Sequence, residues 1–131
     1  MLNPLVLVAD DDKDFLELIG AKLKAKGLNY QTVKDGVETV SKARELNPAL
    51  ILMDVDMPKK DGIEATFDLQ DDPTTKNIKI IYLTNLGDPS PSVAEINRRF
   101  SKEIGAIDYF KKGGDWEILM TKIHDILETN R

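Results

Sequence analysis

The residues best placed to do chemistry in this chain are aspartates that follow two short apolar runs. Asp10, Asp11 and Asp12 come directly after the first run. Asp54 ends a later run, and Asp56 lies two positions beyond it. Several carboxylates gathered at one spot raise each other's pKa, and a hard divalent cation removes that conflict. Mg²⁺ accepts one or two carboxylates, keeps several waters and shares a phosphate oxygen readily, so the pattern points to a metal-assisted phosphoryl site.

Two further groups would complete such a site. Thr84 ends a fourth apolar run, and Lys111 and Lys112 follow a fifth. A hydroxyl and an ammonium can hold the remaining oxygens of a phosphoryl group. Asp54 can then act as a nucleophile and form an aspartyl phosphate, because the metal neutralises the charge that develops.

The elements that must position these residues alternate between strands and helices. Short β-branched runs are typical of strands buried on both faces, and 3.6-residue spacing of apolar positions predicts helices between them. The predicted strands cover residues 5–9, 30–33, 50–53, 78–83 and 107–111. The first predicted helix begins after capping aspartates within residues 10–14 and ends at residue 27. The other four predicted helices cover residues 37–46, 63–70, 93–104 and 116–127. Five βα units with right-handed crossovers predict an α/β fold, a doubly wound five-stranded parallel sheet.

This sheet would bring the candidate residues to one edge. Ligands of open parallel sheets bind beyond the carboxyl ends of the strands. Polar or charged side chains follow or end four of the predicted strands: Asp10 to Asp12, Asp54, Thr84, and the pair Lys111 and Lys112. We therefore expect carboxylates, a hydroxyl and an ammonium to converge there.

Composition excludes several classes of protein. The 131 residues contain no cysteine, which excludes a disulfide scaffold, a thiol nucleophile and an iron–sulfur cluster. A single histidine, His124, cannot build a multi-histidine metal cage. The net charge of −5 argues against direct nucleic-acid binding, because an acidic chain repels a polyphosphate. No membrane-spanning run or basic leader is visible, so we expect a cytoplasmic protein without membrane contact.

Four segments in this order resemble the receiver domain of two-component response regulators. They are Val-Ala-Asp-Asp-Asp at 8–12, Leu-Ile-Leu-Met-Asp-Val-Asp-Met-Pro-Lys-Lys-Asp-Gly at 50–62, Ile-Tyr-Leu-Thr-Asn at 81–85 and Gly-Ala-Ile-Asp-Tyr-Phe-Lys-Lys at 105–112. The resemblance extends from about residue 5 to 127 and implies one receiver domain over residues 1–131, with its core at about 4–128. It also implies a flavodoxin-like (βα)₅ fold with strand order 2-1-3-4-5.

The resemblance implies a role for each acidic residue. Asp54 matches the phospho-acceptor. Asp10 and Asp11 match the acidic pair that binds Mg²⁺, with Asp11 the more direct ligand. Asp56 matches the position whose backbone carbonyl is a metal ligand, and Asp54 completes the metal set.

The resemblance also assigns a phosphoryl-binding pair and a switch. Lys112 matches the lysine that pairs with the phosphoryl group, and Thr84 matches the hydroxyl that moves toward it. Tyr109 matches the aromatic residue that changes rotamer with phosphorylation. Such a domain catalyses at most its own phosphorylation and dephosphorylation.

The same resemblance implies partners. The donor would be a sensor histidine kinase or a histidine phosphotransfer protein, and a downstream protein target would read the phosphorylated state. The helix at 93–104, the fifth strand and the last helix would form a homodimer face.

Three positions depart from the family pattern. Asn85 stands where a small residue is usual, which predicts narrower access to Asp54. Gly113 replaces the usual proline, and a non-proline cis bond costs about 2.5–4 kcal/mol, which favours a trans Lys112–Gly113 peptide. The stretch from Thr84 to Lys112 is a few residues longer than is usual for the family, and we place the additional residues at 87–91.

Two other functions stay open from the residues alone. One is a receiver-like binding module that is not phosphorylated. The other is a haloacid-dehalogenase-type phosphatase, since Asp54-Val55-Asp56 has its Asp-x-Asp shape. Those enzymes carry the pair on the first core strand, whereas this pair ends the predicted third strand. A flavin protein would need a phosphate-binding loop after the first strand, where this chain has acidic residues that repel phosphate.

Overall fold

The computed structural model describes residues 4–84, 106 and 108–129. The strands are β1 (Leu5–Ala9), β2 (Asn29–Val33), β3 (Leu50–Asp54), β4 (Lys79–Thr84) and β5 (Asp108–Lys111). The helices are α1 (Lys13–Ala25), α2 (Gly36–Leu46), α3 (Gly62–Gln70) and the C-terminal α4 (Trp116–Thr129). The predicted helix at 93–104, the extra length at 87–91 and Asn85 lie outside the described residues.

The five strands form one parallel sheet in the order β2-β1-β3-β4-β5, as predicted. The register pairs Ala9 of β1 with Met53 of β3. One position further along both strands, Asp10 therefore comes level with Asp54. On the other side, Thr84 of β4 pairs with Lys111 of β5, which puts Lys112 immediately beyond the same edge.

The central strands are buried because helices cover both faces of the sheet. Every residue of β3 is buried, whereas β2 at the edge of the sheet is mostly exposed. Alternate residues of one strand enter opposite cores: Leu52 packs on the side of α1 and α4, and Met53 on the side of α2 and α3. This two-sided burial explains the continuous apolar runs of the sequence.

Local signals fix where the helices begin and end. Asp12 caps α1, and Gly27, at φ 72°, ends it by donating to the carbonyl of Lys24 at 2.9 Å. Asp35 caps α2, which begins at Gly36, one residue earlier than predicted. Asp61 caps α3 in a capping box with Glu64. Among the helices that the structure describes, none combines the length and apolarity needed to cross a bilayer.

Candidate functional site

The candidate site is an acidic pocket at the carboxyl ends of β1 and β3. Asp10 is fully buried, and Asp54 is 7% exposed. Asp10 Oδ1 accepts from the backbone N–H of Asp12 at 2.9 Å, and Asp54 Oδ1 accepts from that of Asp56 at 3.0 Å. Each carboxylate is thus oriented by the chain two residues beyond it.

The three consecutive aspartates after β1 have different environments. Asp10 lies in the pocket, and Asp11 lies on its exposed rim. Asp12 points to the helix instead, and its Oδ1 accepts from the N–H groups of Asp14 and Phe15 at 3.0 and 3.3 Å. The capping role therefore falls to Asp12, and the first two aspartates remain available to a ligand.

Lys112 closes the pocket from the β5 side. Its backbone N–H donates to the carbonyl of Thr84 at 2.8 Å, which extends the β4–β5 pairing past the strand end. Its Nζ lies 2.6 Å from Asp10 Oδ2 and donates to Asp54 Oδ2 at 3.2 Å. The preceding Lys111 is exposed, so the structure brings Lys112 and not Lys111 to the two carboxylates.

The pocket contains more buried negative than positive charge, since the buried carboxylates of Asp10 and Asp54 lie next to the one ammonium of Lys112 among the described residues. Burial, with the charge of Asp10 added, raises the pKa of Asp54 to about 6, against the lowering effects of the Asp56 N–H and of Lys112. Desolvation by itself would lower the pKa of Lys112, but contact with Asp10 and the charge of Asp54 leave it raised. In the part of the chain that the structure describes, one ammonium is therefore paired with two buried carboxylates.

The donor set fits a hard divalent cation. Carboxylate oxygens of Asp10, Asp11 and Asp54 all lie within 4.8 Å of one another. Asp10 Oδ2 is buried, and its contact with Lys112 Nζ at 2.6 Å is an ion pair. A buried carboxylate next to a second carboxylate is costly even when both share an ammonium, and a cation bound by the all-oxygen cluster would lower that cost.

The loop that follows Asp54 is held by close backbone contacts. The N–H of Gly62 donates to the carbonyl of Val55 at 2.8 Å. A Cβ on Gly62 would lie 2.4 Å from the Asp54 carbonyl oxygen, so only glycine permits this approach. Asp56 is exposed, and its carboxylate is outside the cluster, which leaves its predicted backbone role untested.

The predicted switch residues lie near the pocket without completing it. Thr84 is partly buried, and its hydroxyl donates to the carbonyl of Phe110 at 3.5 Å, a long contact. Tyr109 is partly buried and packs on the α2–α3 side of the sheet. Their predicted roles stay predictions.

The peptide chain around Lys112 follows the expectation for a missing proline. No cis peptide bond occurs in the described part of the chain, so the Lys112–Gly113 bond is trans, as favoured. Gly113 has φ 86°, a conformation that glycine adopts readily. The turn at Gly113 thus directs the backbone from β5 toward α4 while the lysine side chain enters the pocket.

Sequence reasoning missed one neighbour of the pocket. Phe15, in the first turn of α1, lies with its ring centroid 4.7 Å from Lys112 Nζ. Its ring stacks on Trp116 of α4 with centroids 5.9 Å apart. An aromatic residue in the first turn after the acidic run was the available signal, but only the tertiary structure shows that it meets the lysine.

The sequence matches the family model of the response regulator receiver domain over residues 6–124. This match covers nearly the whole chain, including all the candidate site residues. The chain belongs to the response regulator receiver domain family. The resemblance inferred from the four sequence segments is therefore confirmed.

Curated relatives agree with this placement. The chain is 30% identical over 124 residues to the DNA-binding dual master transcriptional regulator RpaA of Synechocystis. The aligned segment covers 95% of this chain and 49% of RpaA. It is also 30% identical to Protein PilH of Pseudomonas aeruginosa, covering 93% of this chain and 96% of PilH. The chain spans half or less of the first relatives it matches, including 26% of the response regulator PleD of Caulobacter vibrioides.

Solved structures show the same fold. The receiver domain of the Francisella response regulator 1452 superposes with a TM-score of 0.85 at 27% identity, covering 98% of this chain and all of that one. This receiver domain is therefore a phospho-acceptor signalling domain of the two-component type rather than an enzyme of the usual kind. Family membership also argues against the phosphatase alternative, since Asp54 ends β3, the third strand.

Proposed function

We propose that this receiver domain takes a phosphoryl group from a phosphohistidine donor onto Asp54 and changes conformation in response. The observation that supports this most directly is the convergence of Asp10, Asp11 and Asp54 within 4.8 Å, with Lys112 bonded to the Asp54 carboxylate. A nucleophile, a cation site and a phosphoryl-binding ammonium are the three parts that such a transfer needs.

The transfer step follows from the positions of the two Asp54 oxygens. One carboxylate oxygen attacks phosphorus in line, the new O–P bond forms, and the P–N bond to the donor imidazole breaks. The electron pair of that bond stays on the imidazole nitrogen, and the proton that the other ring nitrogen already carries makes the leaving group a neutral imidazole. Asp54 Oδ1, held by the Asp56 N–H at 3.0 Å, keeps the carboxylate oriented during the attack.

Asp10, Asp11 and Asp54 would hold Mg²⁺ through side-chain oxygens, with the backbone carbonyl of Asp56 as a further ligand. When bound, the ion neutralises charge on the transferred oxygens. Lys112, which lies between Asp10 and Asp54, binds a phosphoryl oxygen by the same charge-assisted hydrogen bonding it now makes to Asp54. Hydrolysis of the aspartyl phosphate resets the domain.

We assign the response to Thr84 and Tyr109. A phosphoryl group adds charge of about −1.5 to −2 next to Lys112 and near the Thr84 hydroxyl. The long 3.5 Å bond from Thr84 to Phe110 is weak, so the hydroxyl can exchange it for a phosphoryl oxygen. Movement of Thr84 out of its place in the β4–β5 edge would free space for Tyr109 to change rotamer.

We place a sensor histidine kinase or a histidine phosphotransfer protein upstream and a protein target downstream. Residues 1–131 would act as a single receiver domain in this exchange. A homodimer through residues 93–104, β5 and α4 stays a prediction, because its first segment lies outside the described residues.

Intact mass after incubation with Mg²⁺ and acetyl phosphate tests the assignment. We expect the parent protein to gain one phosphoryl group and Asp54→Ala to gain none. Asp35→Ala is the matched control, because Asp35 follows β2 at the same edge and pairs with Lys59 at 3.5 Å. It is expected to label like the parent.

Two outcomes would reject the assignment. Equal labelling of the parent and Asp54→Ala would remove Asp54 from its role. No labelling of the parent, with Mg²⁺ bound, would favour the receiver-like binding module that is not phosphorylated.

A further inference from the structure

The ammonium of Lys112 has three partners in the described part of the chain. Two are carboxylates, Asp10 at 2.6 Å and Asp54 at 3.2 Å. The third is the face of the Phe15 ring, 4.7 Å from Nζ to the centroid. A cation above an aromatic face at this distance is attracted by the ring quadrupole, more strongly when water is excluded.

The two carboxylate partners are not permanent under the proposed function, on which this inference rests. Asp10 and Asp54 belong to the cluster that would hold the metal, so the cation would compete with Lys112 for their oxygens. Asp54 would in addition become an acyl phosphate and lose its negative carboxylate. The Phe15 ring is the one partner that neither metal binding nor phosphorylation consumes.

The ring is itself held in place from behind. Phe15 is 8% exposed and stacks on Trp116, with centroids 5.9 Å apart and planes at 26°. Trp116 also packs against Phe110 at 5.8 Å and lies beneath Lys22 Nζ at 5.4 Å. The backbone N–H of Phe15 donates to the Asp12 cap, which fixes its position in the first turn of α1.

We propose that Phe15 is a positioning residue for phosphoryl transfer, holding the Lys112 ammonium over the pocket by a cation–π contact while the carboxylates exchange partners. Phe15 is not among the groups proposed to bind the phosphoryl group or the metal. It acts through Lys112, so its electrostatic character, and not only its volume, is expected to set the rate at which Asp54 is phosphorylated.

A fluorination series at Phe15 separates electrostatics from packing. Site-specific 4-fluoro-, 3,5-difluoro- and 3,4,5-trifluorophenylalanine weaken the ring quadrupole stepwise with little change of shape. With Mg²⁺ and acetyl phosphate, we expect the phosphorylation rate to fall at each step, and Phe15→Leu to lose about three- to thirtyfold. The same fluorinated residues at Phe67, a 50% exposed position on α3, are the control and are expected to leave the rate unchanged.

The same series in a Lys112→Ala background gives the decisive comparison. If the ring acts through the ammonium, fluorination has no further effect once Lys112 is removed. A rate independent of the number of fluorines, or an equal decline without Lys112, would overturn the proposal.

A readout without phosphorylation keeps this inference distinguishable from the proposed function. In the NMR spectrum, the Phe15 ring current is expected to shift the ε-methylene protons of Lys112 upfield, and Phe15→Leu to abolish the shift. Unshifted protons in the parent would refute the contact itself. Shifted protons in a parent that takes no phosphoryl group would refute the proposed function, and with it any role of Phe15 in transfer.

Discussion

Two aspartates at the same edge of the sheet, each next to a lysine, have pKa values shifted in opposite directions. Asp54 ends β3 next to Lys112, and burial raises its pKa to about 6. Asp35 follows β2 next to Lys59, and the backbone N–H of Glu38, with help from Lys59, lowers its pKa. The two pKa shifts differ in direction because the groups next to each carboxylate differ.

Asp35 meets the N-terminus of a helix, whereas Asp54 meets another carboxylate. Asp35 Oδ1 accepts from the N–H of Glu38 at 2.8 Å, so its charge is satisfied by α2. Asp54 shares the Lys112 ammonium, its single cationic partner among the described residues, with the buried Asp10. Residue type and strand-end position are therefore shared by the two aspartates, and burial beside a second carboxylate distinguishes Asp54.

The largest expected difference between these aspartates is in metal binding. We expect Asp54→Asn to weaken Mg²⁺ binding by at least about tenfold, because it removes one charged ligand of a three-carboxylate cluster. Asp35→Asn is expected to bind Mg²⁺ like the parent. Isothermal titration calorimetry measures both, and equal affinities for Asp54→Asn and the parent would place the cation elsewhere.

The next largest difference is in the stability of the metal-free protein, where substitutions of the two aspartates are expected to change the free energy of unfolding in opposite directions. In EDTA near neutral pH, we expect Asp54→Asn to raise the free energy of unfolding by about 1–3 kcal/mol, because it removes an unfavourable buried charge. Asp35→Ala is expected to lower it by about 1 kcal/mol, because α2 loses its cap. Urea unfolding measures both free energies. Changes of the same sign in the two variants would contradict the comparison.

The pH dependence of these two effects is also expected to differ. The folded pKa of Asp54, about 6, exceeds the ordinary value of 3.8, so the folded protein binds more protons between them. The advantage of Asp54→Asn over the parent is therefore full above pH 6 and disappears as the pH falls toward 3.8. The deficit of Asp35→Ala persists through this range, since its folded pKa lies below 3.8. Unfolding of all three proteins in EDTA across this pH range measures the two profiles, and parallel profiles would be the contrary result.

The smallest expected effect concerns Lys59, the partner of Asp35. Lys59 has φ 69°, a left-handed conformation that costs an L-residue about 1–2 kcal/mol. Lys59→Gly is expected to stabilise the domain by about 0.5–1 kcal/mol after the added chain entropy of glycine. The ion pair lost is 3.5 Å long and its Lys59 side chain is largely exposed, so it contributes little. Thermal unfolding checks this, and Lys59→Ala, which keeps the strain, is the control.

Much of the fold was predictable because its signals are local. The apolar run of β3, the aspartates that precede α1, and the stop at Gly27 each depend on neighbouring residues in sequence. Parallel topology then follows from the alternation of strands and helices. The start of α2 was placed one residue late, because Asp35 serves as its cap rather than as part of a separate turn.

The sequence predicted which residues form the candidate site, but not which of their carboxylates are buried or how their charges interact. Strand-end positions identified the aspartates after β1, Asp54, Thr84 and the lysine pair, and the resemblance selected Lys112 from that pair. The register brings Asp10, Asp54 and Lys112 together. Nothing local distinguishes Asp10 from Asp12, since both are aspartates within one short run. Their different environments arise only when β1 is enclosed by its neighbours.

The sequence by itself determined the order of elements, the parallel sheet and the edge at which acidic residues collect, because hydrophobic period, caps and strand ends are short-range properties. The tertiary structure alone decided which carboxylates are buried together, that Lys112 serves two of them, and that Phe15 faces its ammonium. Burial and charge proximity depend on atoms far apart in the chain, and those distances exist only after the sheet and its helices have packed.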